Sequence, residues 1–171
     1  NAGGGQDDLN NKYEATQFTA SGTFDVTSLK IYLKKSGTIT NQSERITVSL
    51  YSDSGNKPLQ QLVTSTDFVS YGDLTDTFQD FDFKLDYRLN DNTKYWIVIY
   101  RSSIPLGTSA SVYISTKSPA SGEYATSIDA STWVLETGKS IQYEFTASDA
   151  SAQPQSAIIE IQDALETPIN E

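Results

Sequence analysis

The stretch that most constrains this chain is residues 89–100, where a polar turn passes directly into the longest apolar run of the sequence. The turn is Asn90-Asp91-Asn92, and the run at 95–100 is made of β-branched and aromatic residues. Such a run predicts a central strand that is buried on both faces. Leu89, Thr93 and Tyr95 also have the spacing of a tyrosine corner, in which the phenol hydroxyl bonds to the backbone upstream of its strand.

Composition excludes several classes of function for a chain of 171 residues, a length that suits one domain with a sizeable core. The formal net charge of -10 argues against binding to nucleic acid or to anionic membrane surfaces. No apolar run approaches the roughly 20 residues that span a bilayer, so we predict no membrane insertion. The absence of cysteine excludes disulfides and thiolate metal sites. The polar, Met-free composition favours an extracellular or virion-surface location, and the Asn1 start favours a processed or excised piece.

Alternation of apolar and polar residues predicts strands along most of the chain. The clearest case is the segment 77–88, where Phe81, Phe83, Leu85 and Tyr87 alternate with charged residues. The other predicted strands cover residues 13–20, 24–35, 45–52, 59–66, 110–116, 133–135 and 140–146. We interpret the last two as a closing hairpin, and residues 118–130 as a loop.

This pattern predicts an all-β chain that folds as an antiparallel jelly-roll or Greek-key β-sandwich. The sandwich spans residues 13–147. Residues 1–12 form a flexible lead-in, and residues 148–171 form a linker and a short docking tail.

Several short motifs in residues 13–147 are degenerate when taken individually, but their order and spacing together resemble those of a known family. They are Gln17-Phe18-Thr19, Val26-Thr27-Ser28-Leu29, Leu33, Gly37, Val48-Ser49-Leu50-Tyr51, Gly55, Pro58, Phe81, Phe83, Leu89, Thr93, Tyr95, Trp96 and Trp133. In this order the chain resembles choice-of-anchor R domains, jelly-roll modules of bacterial surface proteins and phage structural proteins. The resemblance implies a sandwich similar to carbohydrate-binding modules, with no catalytic motif and no established ligand. The turn at Asn90-Asp91-Asn92 departs from it, since related turns often contain Pro or Gly.

The residues that could carry catalysis argue against an enzyme. Without histidine or cysteine the chain cannot build Ser-His-Asp or Cys-His pairs. Ser54 and Lys57 match a serine–lysine spacing, but Gly55 and Pro58 place them in a turn rather than on a helix. Asp80 and Asp82 lie about 6.5–7 Å apart on one strand face, a distance that overlaps the carboxyl spacing of inverting glycosidases. That face of the strand is predicted to be solvated, which argues against a catalytic pair.

No cofactor is predicted, and the one candidate metal site is a calcium site using Asp7 and Asp8. Calcium needs six to eight oxygens that converge from several segments, which these two neighbouring residues do not supply by themselves.

Aromatic residues out of phase with the core provide the candidate binding site. They are Tyr32, Tyr51, Trp96 and Tyr100, with Tyr124 and Trp133 as a second group at the loop end of the sandwich. Aromatic faces with polar edges stack on sugar rings, so an exposed face of this kind predicts glycan binding. The alternative is that a loop, the tail or a neighbouring subunit covers the face, and that Trp133 belongs to the core.

The function that we predict is a non-catalytic surface module for adhesion or glycan recognition on a phage particle or a secreted bacterial protein. Its partner would be a cell-surface glycan. The alternative is a purely structural virion subunit or decoration domain that contacts neighbouring structural proteins. In either case we expect a larger assembly, because the tail carries apolar residues that favour burial: Ile158, Ile159, Ile161 and Leu165.

Overall fold

The computed structural model describes residues 5–9, 13–38, 42, 44–101, 110–117 and 122–148, which form two antiparallel sheets. In chain order the strands are β1 (Gly5–Asp8), β2 (Tyr13–Thr19), β3 (Phe24–Ser36), β4 (Arg45–Asp53), β5 (Pro58–Thr64), β6 (Val69–Ser70), β7 (Gln79–Leu89), β8 (Lys94–Arg101), β9 (Ser111–Lys117), β10 (Tyr124–Ser127), β11 (Val134–Glu136), β12 (Ser140–Ile141) and β13 (Tyr143–Ser148). Within these residues the only helical element is a 3₁₀ turn at Tyr71–Asp73. The two sheets pack as a sandwich, which confirms the predicted all-β antiparallel fold.

Each sheet is named here after its central strand. The β3 sheet has the order β1-β9-β3-β13, with β7 also paired to β3 and β12 to β9. The β8 sheet has the order β11-β10-β2-β8-β4-β5, with β6 also paired to β4. From β6 to β10 every consecutive strand changes sheet, so the connections cross the ends of the sandwich in the Greek-key manner.

Strand β8 is buried on both faces, as its sequence predicts. Tyr95, Ile97 and Ile99 point into the core between the sheets, whereas Trp96 and Val98 belong to a second apolar cluster on the opposite face. Because β8 lies between β2 and β4, residues 95–99 have strand partners on both sides as well.

The tyrosine corner is present at the start of β8. The backbone N–H of Asn90 donates to the Tyr95 hydroxyl oxygen at 3.1 Å, and the Tyr95 side chain is buried. Asn92 adopts a positive φ of 53°, which asparagine tolerates better than most residues. This contact confirms the predicted bond between Tyr95 and the backbone near Leu89.

The predicted flexible lead-in at 1–12 is wrong for residues 5–9. β1 pairs antiparallel with β9, from Gly5 opposite Thr116 to Asp8 opposite Tyr113, and Leu9 is fully buried in the core. β1 is held by backbone pairing to a distant strand, and its own residues do not alternate between apolar and polar. Its sequence therefore carries no strand signal. Gly5 suits the position, because an added Cβ would lie 2.8 Å from the Thr116 hydroxyl oxygen.

The predicted closing hairpin is also wrong. β11 pairs with β10 in the β8 sheet, whereas β12 and β13 pair with β9 and β3 in the β3 sheet. The turn between β11 and β12, with Gly138 at a φ of 84°, therefore carries the chain from one sheet to the other. Strand β10 itself lies inside the segment 118–130 that we predicted as a loop.

The apolar tail residues Ile158, Ile159, Ile161 and Leu165 lie outside the described residues, so the docking tail stays a prediction. Across the ranges that the structure describes, no helix has the length and apolar character needed to cross a membrane.

Candidate functional site

The outer face of the β8 sheet, called the covered face below, carries most of the predicted aromatic residues. Trp96 is completely buried there, and Tyr51 and Trp133 are 8% and 6% exposed. The Trp133 ring lies edge-on between Tyr51 and Tyr13, with ring centroids 6.5 Å from each. Because Trp133 belongs to the segment between β10 and β11, that segment covers the face, and these rings form a second core rather than an open platform.

Asp129 holds the covering segment in shape. Its carboxylate accepts hydrogen bonds from the backbone N–H groups of Thr132 at 2.7 Å and Ser131 at 2.9 Å, and from the Ser127 hydroxyl at 2.9 Å. These donors, with the Thr132 N–H the strongest, hold the pKa of the Asp129 carboxyl well below its usual range. The carboxylate therefore serves the loop and has its hydrogen-bonding capacity largely filled.

Asp53 fixes the opposite end of the covered face. One of its carboxylate oxygens accepts from the Trp96 indole N–H and from the Gln17 amide, each at 2.7 Å. A buried indole N–H usually requires such a partner. The contact explains how Trp96 is accommodated outside the main core.

The structure divides the six predicted binding residues among three places. Tyr51, Trp96 and Trp133 are buried on the covered face, and Tyr100 is half-buried there against Tyr13, with ring centroids 5.2 Å apart.

Tyr124 points the other way, into the main core, where it is fully buried and its hydroxyl donates to Asp7 at 2.9 Å. The expectation that Tyr124 and Trp133 form one group is therefore wrong. Tyr32 does not belong with the other sheet-face aromatics either, because it lies on the β3 sheet.

The outer face of the β3 sheet, called the open face below, presents Tyr32 among side chains that are half-buried or exposed. Lys34 follows Tyr32 on the same face of β3, and its ammonium lies 4.7 Å from the ring centroid of Phe78 and 5.5 Å from that of Tyr113. Phe78 is 37% exposed and Tyr113 is half-buried. We call Tyr32, Lys34, Phe78 and Tyr113 the aromatic strip. It runs from Phe78, the residue before β7, across β3 to Tyr113 on β9, a width of about two strand spacings or ~9.5 Å.

Polar groups surround the aromatic strip. The Tyr32 hydroxyl donates to Glu144 at 2.7 Å, and this bond, which favours the protonated phenol, raises the pKa of Tyr32. Lys30 pairs with Asp80 at 3.2 Å, and this pair lowers the pKa of the Asp80 carboxyl and raises that of Lys30. A cavity of about 480 Å³ adjoins the strip and is lined by Lys34, Lys35, Ser36, Gly37, Thr38 and Asp76.

Sequence reasoning missed Phe78 and Tyr113. A signal exists for Tyr113, which stands out of phase with Val112 and Ile114 in its strand. Phe78 precedes its strand, at a position where alternation alone does not assign a face.

A second feature lies at the free edge of the β8 sheet, where β11 pairs with β10 on one side. In the described part of the chain no strand pairs with its other side. A groove of about 330 Å³ opens here and is lined by Thr126, Ser127, Ile128, Asp129, Thr132 and Val134. Ile128 is 83% exposed and Val134 60% exposed, so this edge groove presents an apolar surface to solvent.

The Asp7 carboxylate is engaged in the fold: it accepts from Tyr124 and forms an ion pair with Lys139. Among the residues that the structure describes, no group of three or more acidic side chains could hold a metal ion.

Comparison with known proteins adds no assignment to this geometry. No protein-family model matches the chain. A search of curated proteins likewise finds no match.

Proposed function

We propose that the chain is a non-catalytic recognition module that binds a cell-surface glycan through the open face, with the aromatic strip as its contact surface. It would act in adhesion on a phage particle or a secreted bacterial protein, the setting that the resemblance to choice-of-anchor R domains implies. The β-sandwich fold agrees with that resemblance.

One observation carries this proposal: in the aromatic strip several accessible aromatic rings lie beside charged and hydrogen-bonding groups. Tyr32, Phe78 and Tyr113 supply apolar ring surface, and Lys34 and Glu144 supply polar contacts on the same face. Sugar rings need this combination, because they present both C–H faces and hydroxyl groups. On the covered face the largest rings are already buried against each other.

The electrostatics of the open face support a non-catalytic role. A glycosidase acid needs a carboxyl group with a raised pKa. Asp80 has the opposite environment, because its bond to Lys30 lowers its pKa. Its ion pair with Lys30 also keeps the carboxylate in a structural contact.

A glycan array probed with the full chain, followed by calorimetric titration of the best glycan, tests the proposal. We expect Tyr32→Ala and Tyr113→Ala each to weaken binding at least tenfold. Tyr100→Ala is the matched control, because Tyr100 is also a half-buried tyrosine on a sheet face, but on the covered one.

Unchanged affinity in both strip variants, or an equal loss in Tyr100→Ala, would contradict the assignment of the site. A chain that binds no glycan on the array would contradict glycan recognition itself.

A second candidate function, structural assembly, is favoured by a different observation. The exposed side chains of Ile128 and Val134 line the groove at the edge of the β8 sheet that no described strand pairs with, and Leu135 is exposed on the same edge strand. Exposed apolar side chains at a free strand edge are typical of protein contacts.

A further inference from the structure

A lysine lies between two carboxylates where β1 meets the turn between β11 and β12. The Lys139 ammonium contacts the Asp7 carboxylate directly and lies 2.7 Å from Glu136. All three side chains are partly buried. Asp7 and Lys139 are 132 residues apart in the sequence, and they belong to β1 of the β3 sheet and to the turn that leaves the β8 sheet. The contact therefore joins distant parts of the chain across the two sheets.

Both oxygens of the Asp7 carboxylate are held by further donors. The hydroxyl of the fully buried Tyr124 donates to Oδ2 at 2.9 Å, and the backbone N–H of Asp8 donates to Oδ1 at 2.9 Å. The Asp7 carboxylate is therefore fixed in orientation beside the Lys139 amine.

Glu136 is fixed in the same way on the other side of the lysine. The Thr126 hydroxyl donates to Glu136 Oε1 at 3.1 Å, while Glu136 Oε2 faces Lys139. The ring of Tyr124 lies 4.4 Å from the Lys139 ammonium and shields it on a further side. An amine, a carboxyl group that it could attack and a second carboxylate that could move protons are thus held together.

The ionisation of the cluster sets the starting state. Burial, the largest influence on the pKa of Lys139, lowers it, but the hydrogen bonds to Asp7 and Glu136 raise the pKa above its ordinary value. The cluster therefore rests as an ammonium between two carboxylates. Partial burial brings the neutral form closer in free energy, because desolvation penalises charged groups. A proton can then pass from Lys139 to Asp7 within the cluster.

We propose that Lys139 and Asp7 condense into an intramolecular amide bond, with Glu136 as the proton shuttle. The neutral Lys139 amine attacks Cγ of the protonated Asp7 carboxyl group, which forms the Nζ–Cγ bond. Glu136 takes a proton from the amine nitrogen and delivers it to Oδ2, and the Cγ–Oδ2 bond breaks as this oxygen leaves as water. Oδ1 becomes the amide oxygen. Water is the only other product, so the step needs no oxidant or other co-reactant.

Position makes this step feasible. Holding two reacting groups in contact makes the reaction intramolecular, with effective molarities of about 10⁵–10⁸ M for well-oriented groups. The Asp8 N–H faces Oδ1, where negative charge develops during the attack, as a preorganised donor does in acyl transfer. The Lys30–Asp80 pair on the open face lacks this setting, because the Asp80 side chain is 57% exposed against 16% for Asp7.

The bond would give this cysteine-free chain a covalent cross-link. It would clamp β1, a strand of four residues at the edge of the β3 sheet, and would restrict the unfolded chain as a disulfide does. It does not depend on glycan recognition, because none of its residues lies on the aromatic strip.

Mass spectrometry of the intact, denatured full chain tests the proposal, and we expect a mass lower than the sequence mass by one water. Trypsin does not cleave after an acylated lysine, so the digest should contain residues 1–12 joined to residues 118–171. Lys30→Arg is the matched control, because it removes the exposed lysine–aspartate pair and should retain the loss of one water.

Three variants locate the bond and its shuttle. Lys139→Arg keeps the charge and Asp7→Ala removes the acyl group, and both should have the full sequence mass. Glu136→Gln should lower the linked fraction at least tenfold. Circular dichroism of each variant verifies that the sandwich is folded.

The mass of the unsubstituted chain decides the matter without any variant. The full sequence mass, with residues 1–12 and 118–139 recovered as separate peptides, would overturn the proposal. Loss of water within a single peptide, or a loss that persists in Lys139→Arg, would also overturn it. A fully linked Glu136→Gln chain would overturn the role of Glu136 as the shuttle.

Discussion

The two outer faces of this sandwich use aromatic residues in opposite ways. On the covered face Trp96, Tyr51 and Trp133 pack together under the segment that joins β10 and β11, and each is at most 8% exposed. On the open face Tyr32 and Tyr113 remain half-buried, beside charged groups such as Lys34. The difference shows that an aromatic residue out of phase with the main core can belong to a second core, and that the covering loop decides the outcome.

The largest effect that we expect comes from removing the ring that completes the covered face. Trp133→Ala should lower the free energy of unfolding by about 3–5 kcal/mol, because it leaves a cavity against Tyr51 and Tyr13. Urea denaturation measures this loss. Phe78→Ala on the open face is the control and should cost less than about 1 kcal/mol. Equal losses would remove the distinction between the faces.

The tyrosine corner provides a reference for the main core. Tyr95→Phe should cost about 1–3 kcal/mol, because the Asn90 N–H loses its acceptor on the buried Tyr95 side chain. The control is Tyr87→Phe, whose hydroxyl shows no hydrogen bond to any described residue. An unchanged denaturation midpoint in Tyr95→Phe would argue that the corner bond contributes nothing.

Acid should weaken the covering segment through Asp129. Its pKa is lowered in the folded chain, so the stability that it contributes is present above the unfolded value of 3.8 and is lost progressively below it. We expect Asp129→Asn to lower the urea midpoint at pH 7, and the gap between the variant and the unsubstituted chain to be smaller at pH 3, where part of the carboxylate's contribution is lost. A gap that stays constant between these pH values would mean that the carboxylate charge has no role in the loop.

The smallest effect is expected on the open face. Tyr32→Phe removes an exposed hydrogen bond to Glu144 and should leave the thermal midpoint unchanged within error. Calorimetry measures the midpoint. A clear destabilisation would show that Tyr32 supports the fold, and would weaken its assignment as a contact residue.

The sequence predicts the central layers of the fold well, because their side chains alternate. β3, β4 and β7 begin and end within about two residues of the predicted strands, and β8 is buried on both faces as expected. β1 and β10 could not be predicted in this way. They form strands because they pair with β9 and β2. Their own residues are mostly small or polar and do not predict a strand.

The candidate site was only partly predictable. The phase of Trp96 and Tyr51 shows correctly that they point away from the main core, but phase carries no information about a covering loop. The placement of Tyr32 on the other sheet depends on the order in which the strands pair, which the local pattern does not encode. Long-range pairing also brings Phe78 and Tyr113 to either side of Lys34.

Hydroxyl-radical footprinting of the chain with and without its best array glycan tests the central claim most directly, because it compares both faces in one sample. We predict that the glycan protects Tyr32 and Tyr113 on the open face and leaves the oxidation of Tyr13 and Tyr100 on the covered face unchanged. Protection of Tyr13 and Tyr100, with Tyr32 and Tyr113 still fully reactive, would contradict the account.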